Sequence, residues 1–78
     1  MTLTSIPIRA AFDFVPKRGT APLEVGFIDM STGPVTGWAW DFGDGGASVV
    51  QSPQHIYTKP GVYYPSMIVT NSDNSDIA

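Results

Sequence analysis

The chain has 78 residues, 42% of them hydrophobic, with four Lys/Arg against seven Asp/Glu for a formal net charge of -3, and no cysteine. That length suits one domain, in which only about 60% of the unfolded surface can be buried. Without cysteine there is neither a disulfide framework nor a thiolate metal site, and the redox compartment stays open. The acidic balance, with Lys17-Arg18 as the only basic pair, argues against a nucleic-acid partner, which needs clustered cations.

No run reaches the roughly 18–20 apolar residues of a membrane span, so direct membrane insertion is not expected. The N-terminus lacks the basic-then-apolar pattern of a signal peptide, and the chain reads as an excerpt from something longer. Residues 1–9 read as an N-terminal extension or lead-in, and residues 10–78 as the domain.

Apolar residues recur at period two, the mark of half-buried strands, and no helix of useful length is visible. Ala10, Phe12 and Phe14 alternate with Ala11 and Asp13 until Val15-Pro16-Lys17-Arg18-Gly19 breaks the run. Leu23, Val25 and Phe27 alternate with Glu24, Gly26 and Ile28, and Ser31-Thr32-Gly33-Pro34 breaks again. A third strand is expected over about Thr36 to Phe42, with Trp38, Trp40 and Phe42 on one face and Trp40 as the central buried ring. Short segments around Ala47 to Val50 and His55 to Thr58 flank the turn-prone Gln51-Ser52-Pro53. The last clear strand is expected from Val62 to Asn71.

Pro65 lies inside that last strand with the parity of Tyr63, Met67 and Val69, and proline cannot donate to a ladder. Either the strand is bulged there, or the nitrogen faces a position where no hydrogen bond is made. The stretch Asn71 to Asp76 is polar and turn-like, so a closing strand is expected to be missing or barely begun in Ile77-Ala78. The whole pattern predicts an all-β, immunoglobulin-like sandwich of two antiparallel sheets with about seven short strands. Its core is expected to contain Phe12, Phe27, Trp40, Phe42, Tyr57 and Tyr63, each ring covering on the order of 150–250 Å². Tyr57 is placed to hydrogen-bond a loop backbone through its hydroxyl, as tyrosines at sandwich corners do.

Trp40-Asp41-Phe42-Gly43-Asp44-Gly45, followed by His55-Ile56-Tyr57-Thr58-Lys59-Pro60-Gly61-Val62-Tyr63, closely resembles the PKD domain, named for polycystic kidney disease protein. The likeness extends upstream through Gly19-Thr20-Ala21-Pro22-Leu23-Glu24-Val25-Gly26-Phe27-Ile28-Asp29 and downstream to Val69-Thr70-Asn71, covering about Ala10 to Asp76. The resemblance implies an extracellular or cell-surface location, as in archaeal and bacterial surface-layer proteins and secreted hydrolases. Two features depart from the family: a hydrophobic residue usually stands where Pro65 does, and a further strand usually follows the Asn-rich turn.

Few residues offer chemistry. The carboxylates of Asp41 and Asp44 suit turn formation, accepting backbone N–H bonds while glycine takes φ > 0. Some relatives, notably in bacterial collagenases, bind calcium through acidic residues before the Trp-Asp motif together with its aspartate, which makes Asp29, Asp41 and Asp44 weak calcium candidates here. A Ca²⁺ ion wants about 6–8 oxygens, so such a site would lean on carbonyls and water. The bland role for Asp29 is an Asx turn onto Ser31 or Thr32. No other cofactor is expected. His55, the only histidine, reads as a packed ring near Tyr57, since no elbow motif supplies a nucleophile beside it.

Trp38 belongs to the core by parity, yet lies near the strand start, where an exposed indole would be free to stack on a sugar or a fibrous partner. Val62, Tyr64, Ile68 and Ala39 share outward parity and predict an apolar stripe, with Tyr64 as a second ligand-binding candidate. The chain thus reads as a non-catalytic structural, spacer or adhesion module of a larger protein, meeting other domains, neighbouring surface proteins or carbohydrate. The alternative is a polysaccharide- or collagen-binding accessory module of a secreted protease or chitinase. A hydrolase in its own right finds no triad, no carboxylate pair in a cleft and no cofactor fingerprint.

Overall fold

Period-two alternation gives each strand one apolar face, and burying those faces against each other requires two layers. The computed structural model, which describes residues 7–78, has β1 (Phe12–Val15), β2 (Leu23–Asp29), β3 (Gly37–Asp41), β4 (Ala47–Ser48), β5 (Gln54–Tyr57), β6 (Ser66–Thr70) and β7 (Ser75–Ile77). They form a three-stranded sheet, β1-β2-β5, and a four-stranded sheet, β4-β3-β6-β7. Every pairing is antiparallel.

The register sets the two ends. The chain enters β1 at Phe12 opposite Asp29, close to the loops 30–36, 49–53 and 71–74. It reaches the far end at the loops 16–22, 42–46 and 58–65, where Asp41 pairs with Ser66 and Leu23 with Tyr57. We call these the entry end and the exit end.

Between the sheets lies an aromatic core. Phe27, Trp40 and Phe42 are each 2% exposed, and Met67 and Val69 are fully buried. The Trp40 ring meets Phe27 at 5.3 Å and the edge of Phe12 at 5.0 Å, and Phe27 meets Phe42 at 5.0 Å. Such tilted and edge-on pairs suit the ring quadrupoles and add about 0.5–1.5 kcal/mol each beyond burial. Tyr57 is buried, while Phe12 and Tyr63 are half-buried against the same cluster.

Three expectations change. The packed unit starts before residue 10: Ile8 is buried in the core, and Arg9 and Thr32 exchange two backbone hydrogen bonds of 3.0 Å. Gly33 makes room for this segment, because a Cβ there would lie 2.5 Å from the Pro7 carbonyl oxygen, and its φ of 92° disfavours any other residue.

The strand expected from Val62 begins at Ser66. Pro65 has no N–H to give, so the ladder with β3 starts one residue after it, and neither a bulge nor a silent mid-strand position is needed.

The closing strand is present as β7, pairing Ser75 with Thr70 and Ile77 with Ile68, while Ala78 and Met67 exchange bonds of 2.9 and 3.1 Å. The polar stretch conceals it because only residues 71–74 form the turn. There the Asn71 side-chain oxygen accepts the N–H groups of Asp73 and Asn74 at 2.9 and 2.7 Å.

Candidate functional site

The three carboxylates expected to gather around calcium lie at opposite ends of the sandwich. β2 runs toward the entry end and places Asp29 there, whereas β3 runs the other way and delivers Asp41 and Asp44 to the exit end. Among the described residues no group of three or more His, Asp or Glu side chains is placed to hold a metal ion. The expected calcium set is therefore not assembled, and its members are engaged locally.

At the entry end, one oxygen of Asp29 accepts the Ser31 N–H at 2.9 Å, closing an Asx turn that starts the β2–β3 loop. The other accepts the Trp38 indole N–H at 2.9 Å and the Gln51 side-chain amide at 3.1 Å. Partial burial works against the charge, but the bonds from Ser31, Gln51 and Trp38 outweigh it and hold the Asp29 carboxyl below the usual carboxylate range. The Asp29 N–H meanwhile donates to the Ser52 hydroxyl at 3.1 Å. One residue thus ties the β2–β3 loop, β3 and the β4–β5 loop together. The bond from Ser31 is the Asx turn expected from the sequence, whereas Gln51 and Ser52 carry no sequence signal for this role, since they lie 22 and 23 residues from Asp29.

Trp38 is half-buried, packs against the core and has its N–H committed to Asp29. Trp40, two residues on, aims its N–H at the Val50 carbonyl at 2.9 Å, fastening the same β4–β5 loop from beneath. Both indoles are structural ties in this geometry.

At the exit end the turn after β3 is built from aspartates and glycines. Asp41 accepts the Gly43 N–H at 2.9 Å, and Asp44 accepts the Gly46 N–H at 2.9 Å. Gly43 is required twice over: its φ is 82°, and a Cβ would press within 3.0 Å of the Tyr64 backbone. The second Asp44 oxygen lies 2.6 Å from Nε2 of His55, and that hydrogen bond is the main reason its carboxyl sits below the ordinary range. The His55 ring stacks on Phe42 at 4.2 Å and meets the edge of Tyr57. Tyr57 in turn donates its hydroxyl to the buried Phe42 carbonyl at 2.8 Å. Burial first, then the negative charges of Asp44 and Asp41 and the neighbouring Tyr63, push the Tyr57 phenol up to about 12. The arrangement clamps the β3–β4 turn against β5. Its carboxylates serve as hydrogen-bond acceptors for the turn backbone and for His55.

The outward stripe is partly realised. Ala39, Ile68 and Ile77 form one cross-strand row on the exposed face of the four-stranded sheet. Val62 and Tyr64 are exposed as well, yet they precede β6 in a non-strand segment at the exit end. Tyr64, 81% exposed, and Trp38 therefore sit at opposite ends of the sheet and make no joint aromatic platform.

This architecture has close counterparts. The PKD1 domain of a Vibrio cholerae metalloprotease, PrtV, superposes with a TM-score of 0.79 at 30% identity, covering 94% of this chain and 90% of that one. A structure described as showing the promiscuous specificity of carbohydrate-binding modules from the β-sandwich superfamily gives a TM-score of 0.81 at 27% identity, over 97% of this chain and 34% of that one. A solution structure from Methanosarcina mazei matches all of this chain and 53% of its own, with a TM-score of 0.73 and 37% identity. The sequence profile of the PKD domain matches residues 7–77, the same stretch in which Ile8 opens the core and β7 closes the sheet, and the chain therefore belongs to the PKD-domain family.

Proposed function

We propose that this module is a non-catalytic spacer and adhesion unit of a larger extracellular or cell-surface protein. The observation that carries the reading is the fate of its polar side chains. Asp29, Asp41, Asp44, His55 and Tyr57, the side chains gathered at the two ends of the sandwich, are bonded to the module's own loops and to one another. They fix its shape. The path of the backbone supports the same role: β1 starts at one end and β7 runs to the other, so neighbouring domains attach at opposite poles. The similarity to a domain of a Vibrio metalloprotease supports a place beside other domains.

A second reading, a polysaccharide- or collagen-binding accessory module, has one feature in its favour. Tyr64 presents its ring to solvent, and a protein of similar fold is described as a carbohydrate-binding module. A depletion assay on insoluble chitin, cellulose and fibrillar collagen separates the two. The spacer reading expects the domain to stay in the supernatant, and a head-to-tail fusion of two copies to scatter as an extended rod with the melting temperature of one. Saturable binding lost in Tyr64→Ala, with an unchanged melt, would transfer the function to the accessory reading.

A further inference from the structure

A cleft of about 610 Å³ opens at the exit end between the β1–β2 loop and the segment leading into β6. Its floor is apolar, formed by Phe14, Leu23, Tyr57, Tyr63 and Pro65. Its lining also gathers Lys17, Arg18 and Lys59, three of the four Lys and Arg residues of a chain whose net charge is -3. Lys17 is held by Asp13 and lies 3.9 Å over the Phe14 ring. Arg18 and Lys59 are exposed and have no ion-pair partner among the described residues. Val62 and Tyr63 line the same cleft, and among the described residues their backbone groups make no hydrogen bond, because the ladder begins only at Ser66. An apolar floor, two unpaired cations and a stretch of unpaired backbone favour one chemistry together. The cations select carboxylates, the floor selects a large apolar side chain, and the open backbone selects a polypeptide over a lipid or a sugar.

We propose that this cleft is a docking site for an extended acidic peptide segment of a partner protein. The segment lays its backbone along Val62 and Tyr63, seats one large apolar side chain over Leu23 and Tyr63, and sets carboxylates against Arg18 and Lys59. Nothing in the spacer reading is needed for this inference.

The test is an NMR titration of the isotope-labelled 78-residue chain with a capped hexapeptide carrying one phenylalanine flanked by aspartates. The expected result is saturable shifts confined to residues 15–23 and 58–65, weakening as salt is raised. Joint Arg18→Glu and Lys59→Glu reversal is expected to weaken binding about ten-fold or more, from two surface pairs turned repulsive. Arg9→Glu, at the other end, is expected to change nothing. Both reversed side chains are exposed, so the melt serves as the fold control. Absence of shifts up to millimolar peptide, shifts scattered outside the cleft, or indifference to charge reversal would overturn the proposal. So would equal affinity for a lysine-flanked peptide, or tighter binding of a simple alkyl carboxylate.

Discussion

The two ends of the sandwich handle their polar groups in opposite ways. At the entry end a single carboxylate, Asp29, collects donors from three separate elements, and the Ser52 hydroxyl accepts in return. At the exit end the aspartates close their own short turn, and the neighbouring loops 16–22 and 58–65 part over an apolar floor with Arg18 and Lys59 unpaired. One end is tied mainly by long-range hydrogen bonds to a single carboxylate, and the other by packing of rings together with the Asp44–His55 and Tyr57–Phe42 hydrogen bonds. The comparison teaches that an end closed by saturated polar groups has little left to offer a partner. An end held by Phe42, His55 and Tyr57 can stay firm while leaving surface groups unengaged.

The two tryptophans mark the first place to break this comparison. Trp40 reaches across the sheets to Phe12 and Phe27 and is nearly inaccessible, so Trp40→Ala is expected to cost about 3–5 kcal/mol, a large share of a small domain's stability. Trp38 is half-buried and its specific bond is to Asp29, so Trp38→Ala is expected to cost about 1–2 kcal/mol. Denaturant midpoints at constant slope give both values. Equal losses for the two would mean that the entry end carries as much of the core as the centre does.

Tyr57→Phe sharpens the other side. The hydroxyl is the only described partner across from the buried Phe42 carbonyl in that turn, and removing it is expected to cost about 1–3 kcal/mol through the unsatisfied acceptor. The pH dependence has a definite sign. The folded phenol titrates at about 12, above its unfolded value near 10. Its stabilising contribution is therefore whole below about pH 10 and is lost as pH rises toward 12. The Tyr57→Phe variant is expected to melt with a flatter alkaline limb than the parent. An unchanged limb would place alkaline unfolding elsewhere.

Much of the framework is legible in the sequence. Alternation at Leu23, Val25 and Phe27, the breakers between strands and the Trp-Asp-Phe-Gly-Asp-Gly run fix the sandwich and its order, because a period of two leaves only one face to bury. What alternation could not reveal was where ladders stop. Val62 to Pro65 keeps the right parity yet lies outside the sheet, since parity reports side chains and proline's missing N–H concerns the backbone. The polar run Asn71 to Asp76 hid β7 for the converse reason: an edge strand needs only backbone partners, and Ser75 and Asp76 supply them whatever their side chains. The polar ties were illegible because they are made at long range. Asp29 was visible as a carboxylate, but its partners Trp38, Gln51 and Ser52 come together only once the sheets have packed.

Acid provides a finer comparison of the two ends, for Asp29 and Asp44 both have carboxyls held below the unfolded value near 3.9. In that case the unfolded chain binds more protons as pH falls, so the stabilisation is whole above about pH 5 and is lost as pH drops through the folded values. Asp29→Asn and Asp44→Asn are each expected to flatten the acid limb of a stability-versus-pH curve. The Asp29 change should also loosen the β4–β5 loop, seen as faster amide exchange around Gln51 and Ser52, while Asp44→Asn leaves that loop alone. Loosening of the same loop by both would mean that the ends are coupled.

The smallest effect expected is that of calcium. Asp29 stands at one end and Asp41 with Asp44 at the other, and each already accepts hydrogen bonds that an ion would have to displace. An ion at either end meets one or two carboxylates where about 6–8 oxygens are wanted, which puts any affinity at or beyond the weak extracellular range of about 10⁻³ M. Stabilisation follows RT ln(1 + [L]/Kd), so at about 1 mM calcium it is at most about 0.4 kcal/mol. At about 4–8 °C per kcal/mol for a domain of this size, the melting temperature should move by no more than about 3 °C between EDTA and millimolar calcium. Asp41→Asn should show the same small response. A shift that saturates at micromolar calcium and disappears in Asp41→Asn would mean that the exit-end turn rearranges to recruit further oxygens. The contrast drawn between a polar entry end and a ring-packed exit end would then fail at the Trp-Asp-Phe-Gly-Asp-Gly turn itself.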